Sequence, residues 1–357
     1  MRKFLITVTT FILATTLILS GCSCTKKSPL SFTNYFSGGG AATDVDIGYK
    51  EVLEYDVSYV DKYQENGASI VKDSLIDNAF SFEYTDGKYK SELTVEAFYP
   101  ENLPKSNILK ANGGTYDKNL YHLTTELSIK VTYTPKNGGE SKTCEDSVKS
   151  EVYFTDYGFS YAPIYSKTEA KYSIVYFDGT KVAVDEVSYN YKTTYNTEIY
   201  TIEKFAYNEN GEQVENEKKE YEYTFKTVVD NTQLLFLARN VDVAKDAQFS
   251  MPTVTPQYGD AMTLALKNFD EITTKVNFNY DGDEIKEEDM SVKCLSFAID
   301  SQKNSGTPQY LKIQKAKSNK VSYNALLIEY AEPLVTYGSS SCMGALKYTL
   351  KSVSISK

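Results

Sequence analysis

The chain of 357 residues carries 48 acidic and 38 basic side chains, a formal net charge of −10 at pH 7, and a single histidine. An acidic chain without a basic stripe is poorly suited to a phosphate backbone, so the composition excludes nucleic acid from the expected partners. A structural zinc needs several Cys or His ligands at close spacing, and neither one histidine nor the scattered cysteines supply them. We therefore expect no metal and no cofactor.

Residues 1–22 have the pattern of an export signal. Two basic residues precede an apolar run over residues 4–19, which is shorter than the ~20 residues of a spanning helix and is diluted by threonine. The run ends in Leu-Ser-Gly-Cys at residues 19–22, which resembles the lipobox of bacterial lipoproteins. The resemblance implies that the Cys22 thiol receives a diacylglyceryl group and that cleavage before Cys22 removes residues 1–21.

The signal predicts a cell-membrane lipoprotein that faces outside the cytoplasm, with the membrane as its partner through the lipid on Cys22. Stable anchoring takes two or more acyl chains. Lipidation of this kind, with palmitate-like chains, provides them. Cys24 is either a second acylation site or a spare thiol. Residues 22–48 are rich in Ser, Thr, Gly and Lys and are interpreted as a flexible tether.

Strand patterns begin directly after the tether. In residues 52–60, VLEYDVSYV, apolar and aromatic side chains alternate with Glu54, Asp56 and Ser58, which is the period of a half-buried strand. The longest run covers residues 121–133 and places His122, Thr124, Glu126, Ser128, Lys130 and Thr132 on the polar face. Further runs lie near residues 93–97, 172–176, 187–191 and 221–229.

Four turn signals separate these runs: Asp86-Gly87, Asn137-Gly138, Asp178-Gly179 and Asn210-Gly211. Such pairs tolerate the positive φ that hairpin turns demand, so they predict hairpins and a long antiparallel meander. The fold class is therefore all-β, with the meander forming a β-sandwich or an incomplete β-barrel. Because each run is polar on one side, one sheet face meets solvent, a cavity or a partner.

One short helix is predicted over residues 230–240, where Asp230 caps the helix and Gln233 closes a capping box. Strand patterns then resume at residues 262–280, 291–299, 309–315, 324–330 and 345–355. Residues 49–357 are predicted to form the β-rich domain, with a division into two sub-domains near residue 230 left open.

Residues 230–357 resemble the C-terminal part of an uncharacterised exported bacterial family of β-rich, barrel-like proteins. The matching features are the helix Asp230-x-x-Gln233-Leu234-Leu235-x-x-x-Arg239 and a last strand that ends in ALKYTLKSV. The resemblance implies an architecture and no established activity.

Each group that could carry chemistry has a simpler explanation. His122 is the only imidazole and belongs to a polar strand face, so we favour a surface role over a catalytic one, and no local signature supports a Cys342–His122 nucleophile pair. Carboxylates are numerous enough for a glycosidase, but a solvated strand face accounts for them. The acidic run at residues 281–289 lacks the EF-hand order and is interpreted as a hairpin turn.

Cysteines and lysines outside the signal give weaker predictions. Outside the cytoplasm, one disulfide among Cys144, Cys294 and Cys342 is compatible with the sequence, and Cys294–Cys342 is the pair we name. A lysine cluster is interpreted as a solvated face, with contact to anionic lipid or cell-wall polymer as the alternative; it comprises Lys312, Lys315, Lys317 and Lys320.

The sequence predicts a non-enzymatic binding or envelope-assembly module, and no catalytic residue is assigned. Its partner is a hydrophobic ligand if the curved sheet encloses an apolar cavity. A filled core instead favours a cell-wall polymer or an envelope protein, bound through some of the 31 tyrosines. The alternative function is an extracytoplasmic hydrolase that works with two carboxylates.

Overall fold

The fold is seen in a computed structural model. It describes residues 45–356 except for 109–119, 137, 158–159, 178–181, 209, 224–227, 242–245, 247, 257–260, 300–307 and 338–340. Predictions on Cys22, Cys24, the signal and most of the tether lie outside the described residues, as does the Asp178-Gly179 turn.

The described chain is all-β with two short helices, as the sequence predicts for its class. In chain order its strands are β1 (Lys50–Val60), β2 (Lys62–Glu65), β3 (Ala68–Val71), β4 (Phe80–Glu96), β5 (Leu120–Pro135), β6 (Lys142–Tyr157), β7 (Ser160–Phe177), β8 (Val182–Tyr195), β9 (Ile199–Tyr207), β10 (Gln213–Glu222), β11 (Val229–Asp230), β12 (Gln248–Val254), β13 (Ala261–Tyr280), β14 (Asp283–Ile299), β15 (Gln309–Gln314), β16 (Leu327–Val335) and β17 (Cys342–Ser356). The helices are α1 (Ser74–Ala79) and α2 (Leu234–Arg239).

Fifteen of these strands form one sheet in the order β10-β9-β8-β7-β6-β5-β4-β1-β17-β16-β15-β14-β13-β12-β11. The last strand, β17, also pairs with β13 in parallel, at Asn279 with Ser352 and Tyr280 with Val353. That pairing closes β13 to β17 into a five-stranded barrel, and the meander from β4 to β10 extends from it as an open sheet. The first strand, β1, joins the two parts because it lies between β4 and β17.

Helix α2 packs against the inner face of the sheet. A 3₁₀ turn, Asn231–Gln233, precedes it, and the predicted capping box is present: Asp230 accepts from the Thr232 amide, and Gln233 accepts from the Asp230 amide. Phe236 reaches the aromatic rings of the inner face, with its centroid 5.4 Å from that of Phe154. The helix therefore fills the concave side of the open sheet.

Three local predictions are wrong. Asp86-Gly87 is not a hairpin turn: it forms a bulge inside β4, where Asp86 has φ +54°. The run at 221–229 is not one strand, because β10 ends at Glu222 and Val229 belongs to β11. Helix α1, capped by the Asp73 carboxylate, was not predicted, since its six residues are too few for a clear apolar period.

Candidate functional site

A solvent-facing groove lies where four strands run side by side, β5-β4-β1-β17. Its volume is about 340 Å³. The residues that line it are Glu54, Tyr55, Asp56, Lys88, Tyr89, Lys90, Glu126, Ser128 and Lys351. The alternation in the sequence predicts the outward direction of Glu54, Asp56, Glu126 and Ser128, and the strand pairing brings them together.

Two bulges form the groove. The pairing of β1 with β17 shifts register between Glu54 and Tyr55, and the pairing of β4 with β5 shifts around Asp86 and Gly87. Bulges bend a strand and increase its twist, so bulges on β17 and β4, the two strands that flank β1, leave a hollow on the sheet surface. Gly87 is required there because a Cβ would lie 2.2 Å from the Val57 carbonyl oxygen.

The charges in the groove follow the strand register. On paired positions Glu54 faces Lys90, Lys90 faces Glu126, and Asp56 faces Lys88. The result is an alternating pattern of three carboxylates and three ammonium groups, in which Lys351 supplies the third positive charge. Such a surface has no net charge and therefore favours a ligand with charges of both signs over a polyanion or a polycation.

Most of these charges have partners within the protein. Lys351 Nζ is 2.9 Å from Asp56 Oδ1, and Ser352 donates to Glu54 at 2.7 Å. Lys90 binds Glu92, which lies outside the groove lining, at 2.9 Å. Within the described part of the chain, Lys88 and Glu126 form no ion pair or side-chain hydrogen bond. These two side chains are therefore available to a ligand.

The interior next to α2 is filled. The cavity between the helix and the inner sheet face has a volume of about 10 Å³ and is lined by residues such as Leu53, Phe236 and Leu327. That is no more than the space one water molecule needs. Fifteen of the described tyrosines belong to the buried core, so they pack the fold and do not form a recognition surface. This cavity thus offers no room for a lipid.

Three buried carboxylates have raised pKa values. Burial raises the pKa of Glu332 to about 7 and that of Asp146 to about 6, and it also raises the pKa of Asp230. Their partners are hydroxyls of the core: Tyr330 and Tyr348 donate to Glu332. A glycosidase needs a carboxylic acid of raised pKa beside its substrate, and these three are 5% exposed or less. They therefore cannot reach a sugar in the folded protein.

His122 lies on the polar face of β5 with its side chain 21% exposed and its Nε2 atom buried. Its ring stacks on Tyr153 with centroids 4.1 Å apart, and Nε2 is 3.4 Å from a Glu151 carboxylate oxygen. Hydrogen bonding to His122 lowers the pKa of Glu151. Cys342, at the start of β17, is separated from His122 by strands β4 and β1 and donates to the Gly344 carbonyl. The structure does not bring the two together.

The disulfide prediction is wrong. Cys144, Cys294 and Cys342 are all free thiols. In sheet order, β15 and β16 lie between the strands that carry Cys294 and Cys342. Burial raises the pKa of Cys294 to about 11 and that of Cys144 to about 12, and it also raises the pKa of Cys342. A protonated thiol is a poor nucleophile, so none of the three is activated for catalysis.

The acidic run at 281–289 is a hairpin turn, as predicted. Asp281 and Gly282 have positive φ and join β13 to β14 in a two-residue turn. The carboxylates that follow pair with lysines, Glu284 with Lys286 at 2.9 Å and Asp289 with Lys275 at 2.8 Å. Among the described residues, no group of three His, Cys, Asp or Glu side chains is placed to hold a metal ion.

The lysine cluster is not one solvated face. Lys312 is buried, with ion pairs to Glu65 and Glu329. It lies on β15, all six residues of which are buried. Lys315 pairs with Glu271, while Lys317 and Lys320 are exposed. The prediction of a solvated face is therefore wrong for Lys312, because the hairpin of β2 and β3 covers it.

No helix in the described part of the chain is both long and apolar enough to cross a bilayer. No protein-family model matches the chain, and no curated protein matches it. Among solved structures it is similar to a beta-barrel-like protein of the domain of unknown function DUF1849 from Brucella abortus. The TM-score is 0.42 at 7% sequence identity, and the alignment covers 87% of this chain and 100% of that one. The function is therefore argued from the groove and the interior.

Proposed function

We propose that this protein is a lipid-anchored, non-enzymatic binding module of the cell envelope, which holds its partner in the groove of β1, β4, β5 and β17. The observation that supports the proposal most directly is the pair of unpartnered charges, Lys88 and Glu126, in a solvent-facing hollow of about 340 Å³. The cavity beside α2 that is lined by Leu53, Phe236 and Leu327 has a volume of only about 10 Å³. A polar envelope partner therefore fits the protein better than a hydrophobic ligand.

The proposed lipid anchor, the location at the cell membrane and the membrane as a partner all depend on the lipobox-like residues 19–22. Expression of the full chain in a bacterial host, with a radiolabelled palmitate precursor, tests this part. We expect the unaltered chain to incorporate the label and to fractionate with the membrane, and the Cys22→Ser variant to do neither. Label that persists in the variant would contradict the assignment of Cys22.

Co-sedimentation with membrane-free cell-wall fragments and with solubilised envelope proteins tests the binding part. We expect the protein to bind one of the two fractions, and the Lys88→Ala/Glu126→Ala variant to bind several-fold less. The control is Lys286→Ala, since Lys286 is exposed on β14 and does not line the groove. Equal binding by the double variant would refute the groove as the site.

The alternative function, a carboxylate-based hydrolase, has a weaker basis. The groove contains three carboxylates, but Asp56 is bound to Lys351 and Glu54 accepts from Ser352. Release of sugar from cell-wall material by the purified protein, abolished in Glu126→Gln, would favour the hydrolase over the binding module.

A further inference from the structure

The ligand of the groove can be specified further from the positions of its two unpartnered charges. We propose that the groove binds a short zwitterionic peptide in an extended conformation, with a carboxylate on Lys88 and an ammonium group on Glu126. This inference rests on the proposed binding function.

Lys88 and Glu126 occupy diagonal positions on neighbouring strands. Lys88 on β4 is paired with Ser128 on β5, and Glu126 lies two residues before Ser128 on the same face. Diagonal neighbours of this kind have Cα atoms about 7–8 Å apart. No ion pair joins Lys88 to Glu126. The two opposite charges are therefore both available to a ligand.

An extended peptide presents charges at the matching distance. Successive residues of a strand rise about 3.3 Å, so side chains at positions i and i+2 share a face and lie about 7 Å apart. A peptide with an acid and a base at those positions can therefore contact Lys88 and Glu126 at the same time. A volume of about 340 Å³ is at the small end of ligand sites, which favours a short segment.

The other charges of the groove argue against ligands of a single sign. A polyanion that approaches Lys88 also meets the carboxylates of Asp56 and Glu54, and a polycation that approaches Glu126 also meets Lys90. Like charges brought together at an interface are unfavourable, so single-sign ligands are rejected. The pairs Asp56–Lys351 and Lys90–Glu92 hold the remaining charges in place and leave two contact points.

Fluorescence anisotropy of labelled probe peptides on the detergent-solubilised chain tests the inference. The probes are end-blocked Asp-Ala-Lys, Asp-Ala-Asp and Lys-Ala-Lys, with inorganic polyphosphate as a competitor. We expect the zwitterionic probe to bind about three- to tenfold more tightly than either other peptide, and binding to weaken as salt is raised because the site is exposed.

Charge reversal should change the preference in a defined direction. Lys88→Glu is expected to favour Lys-Ala-Lys, and Glu126→Lys is expected to favour Asp-Ala-Asp. Both positions are exposed, so the variants should fold, and far-UV circular dichroism checks this. The control Lys286→Glu should leave the order of the three probes unchanged.

Two results would overturn the inference. Equal affinity for all three peptides would show that charge is not recognised, and displacement of the zwitterionic probe by polyphosphate with a stronger affinity would assign the groove to a polyanion. In both cases, envelope binding that still depends on Lys88 and Glu126 would leave the proposed function standing. Loss of that dependence as well would remove the groove from both proposals.

Discussion

The buried ion pair between Glu51 and Arg239 should make the fold sensitive to the loss of either partner alone. Arg239 in α2 donates from Nη1 and Nη2 to the two carboxylate oxygens of Glu51 in β1, at 2.6 and 2.8 Å. The two side chains are 4% and 2% exposed. Arg239 also donates to the carbonyls of Ala325 and Asn324. This pair therefore ties α2 to the strand that joins the barrel to the open sheet.

Removal of both partners should cost clearly less than the sum of the two single removals. Glu51→Leu or Arg239→Met leaves one uncompensated charge in the interior, which costs about 3–5 kcal/mol of unfolding free energy. If the two losses were independent, the double variant would lose about 6–10 kcal/mol. The double variant has no charge left at this site, but it leaves the Ala325 and Asn324 carbonyls without their donor, at about 1–3 kcal/mol each, and the Tyr49 hydroxyl without its acceptor on Glu51.

Urea unfolding followed by far-UV circular dichroism measures these differences. The control is Glu284→Ala, which breaks an ion pair of 2.9 Å with Lys286. These side chains are 63% and 70% exposed, so the loss is expected to be less than about 1 kcal/mol. The reasoning would be refuted if a single variant cost under about 1 kcal/mol, or if the double variant lost the sum of the two single losses.

Three further predictions concern the core and the groove. The folded pKa of Glu332, about 7, lies above that of an unfolded glutamate. The stability that its protonation contributes is therefore complete below about pH 4 and is lost as the pH rises through 7. In Glu332→Gln, the difference between the unfolding free energies measured in urea at pH 5 and at pH 9 should be smaller. Gly87→Ala should destabilise by about 1–3 kcal/mol, measured by thermal unfolding, because its Cβ meets the Val57 carbonyl. Leu237→Ala should cost about 2–5 kcal/mol in urea, whereas Leu75→Ala, at a side chain 59% exposed, should cost under about 0.5; equal losses would contradict the burial of α2.

The sequence was informative wherever a strand is buried on one face only. Leu53, Tyr55 and Val57 point into the core, as their alternation with Glu54 and Asp56 predicts. The capping box of Asp230 and Gln233 was also predictable, since it depends on residues three positions apart. Local periodicity and local hydrogen bonds are features that a single stretch of sequence contains.

The sequence was ambiguous where one local signal serves two structures. Asp86-Gly87 supplies a positive φ, which both a hairpin turn and a bulge require. What decides between them is whether the strand continues in register with its neighbours, and β4 does so along β1 as far as Val57 and Gly87. That information lies in other strands, so the bulge and the hollow it creates could not be predicted from residues 86 and 87.

The groove depends on contacts between distant parts of the chain. Lys351 and Asp56 form an ion pair although 295 residues separate them, because β17 returns to lie beside β1. Glu54, Asp56, Glu126 and Ser128 could be assigned to polar faces from their own strands, whereas Lys88, Lys90 and Lys351 were not. Their grouping needed the register of four strands, which no periodicity encodes.

The positions of satisfied and unsatisfied polar groups separate architecture from function in this fold. The polar side chains of the helix motif that resembles an exported β-rich family all bind other residues of the protein. Asp230 accepts from Ser166 and Tyr195. Gln233 donates to the Tyr161 carbonyl, and Arg239 binds Glu51. Buried groups with full sets of partners have nothing left to offer a ligand. A chain with the same helix motif can therefore share the helix docking and bind something different. Specificity is expected on the solvent-facing side of β1, β4, β5 and β17, where the charges of Lys88 and Glu126 remain open.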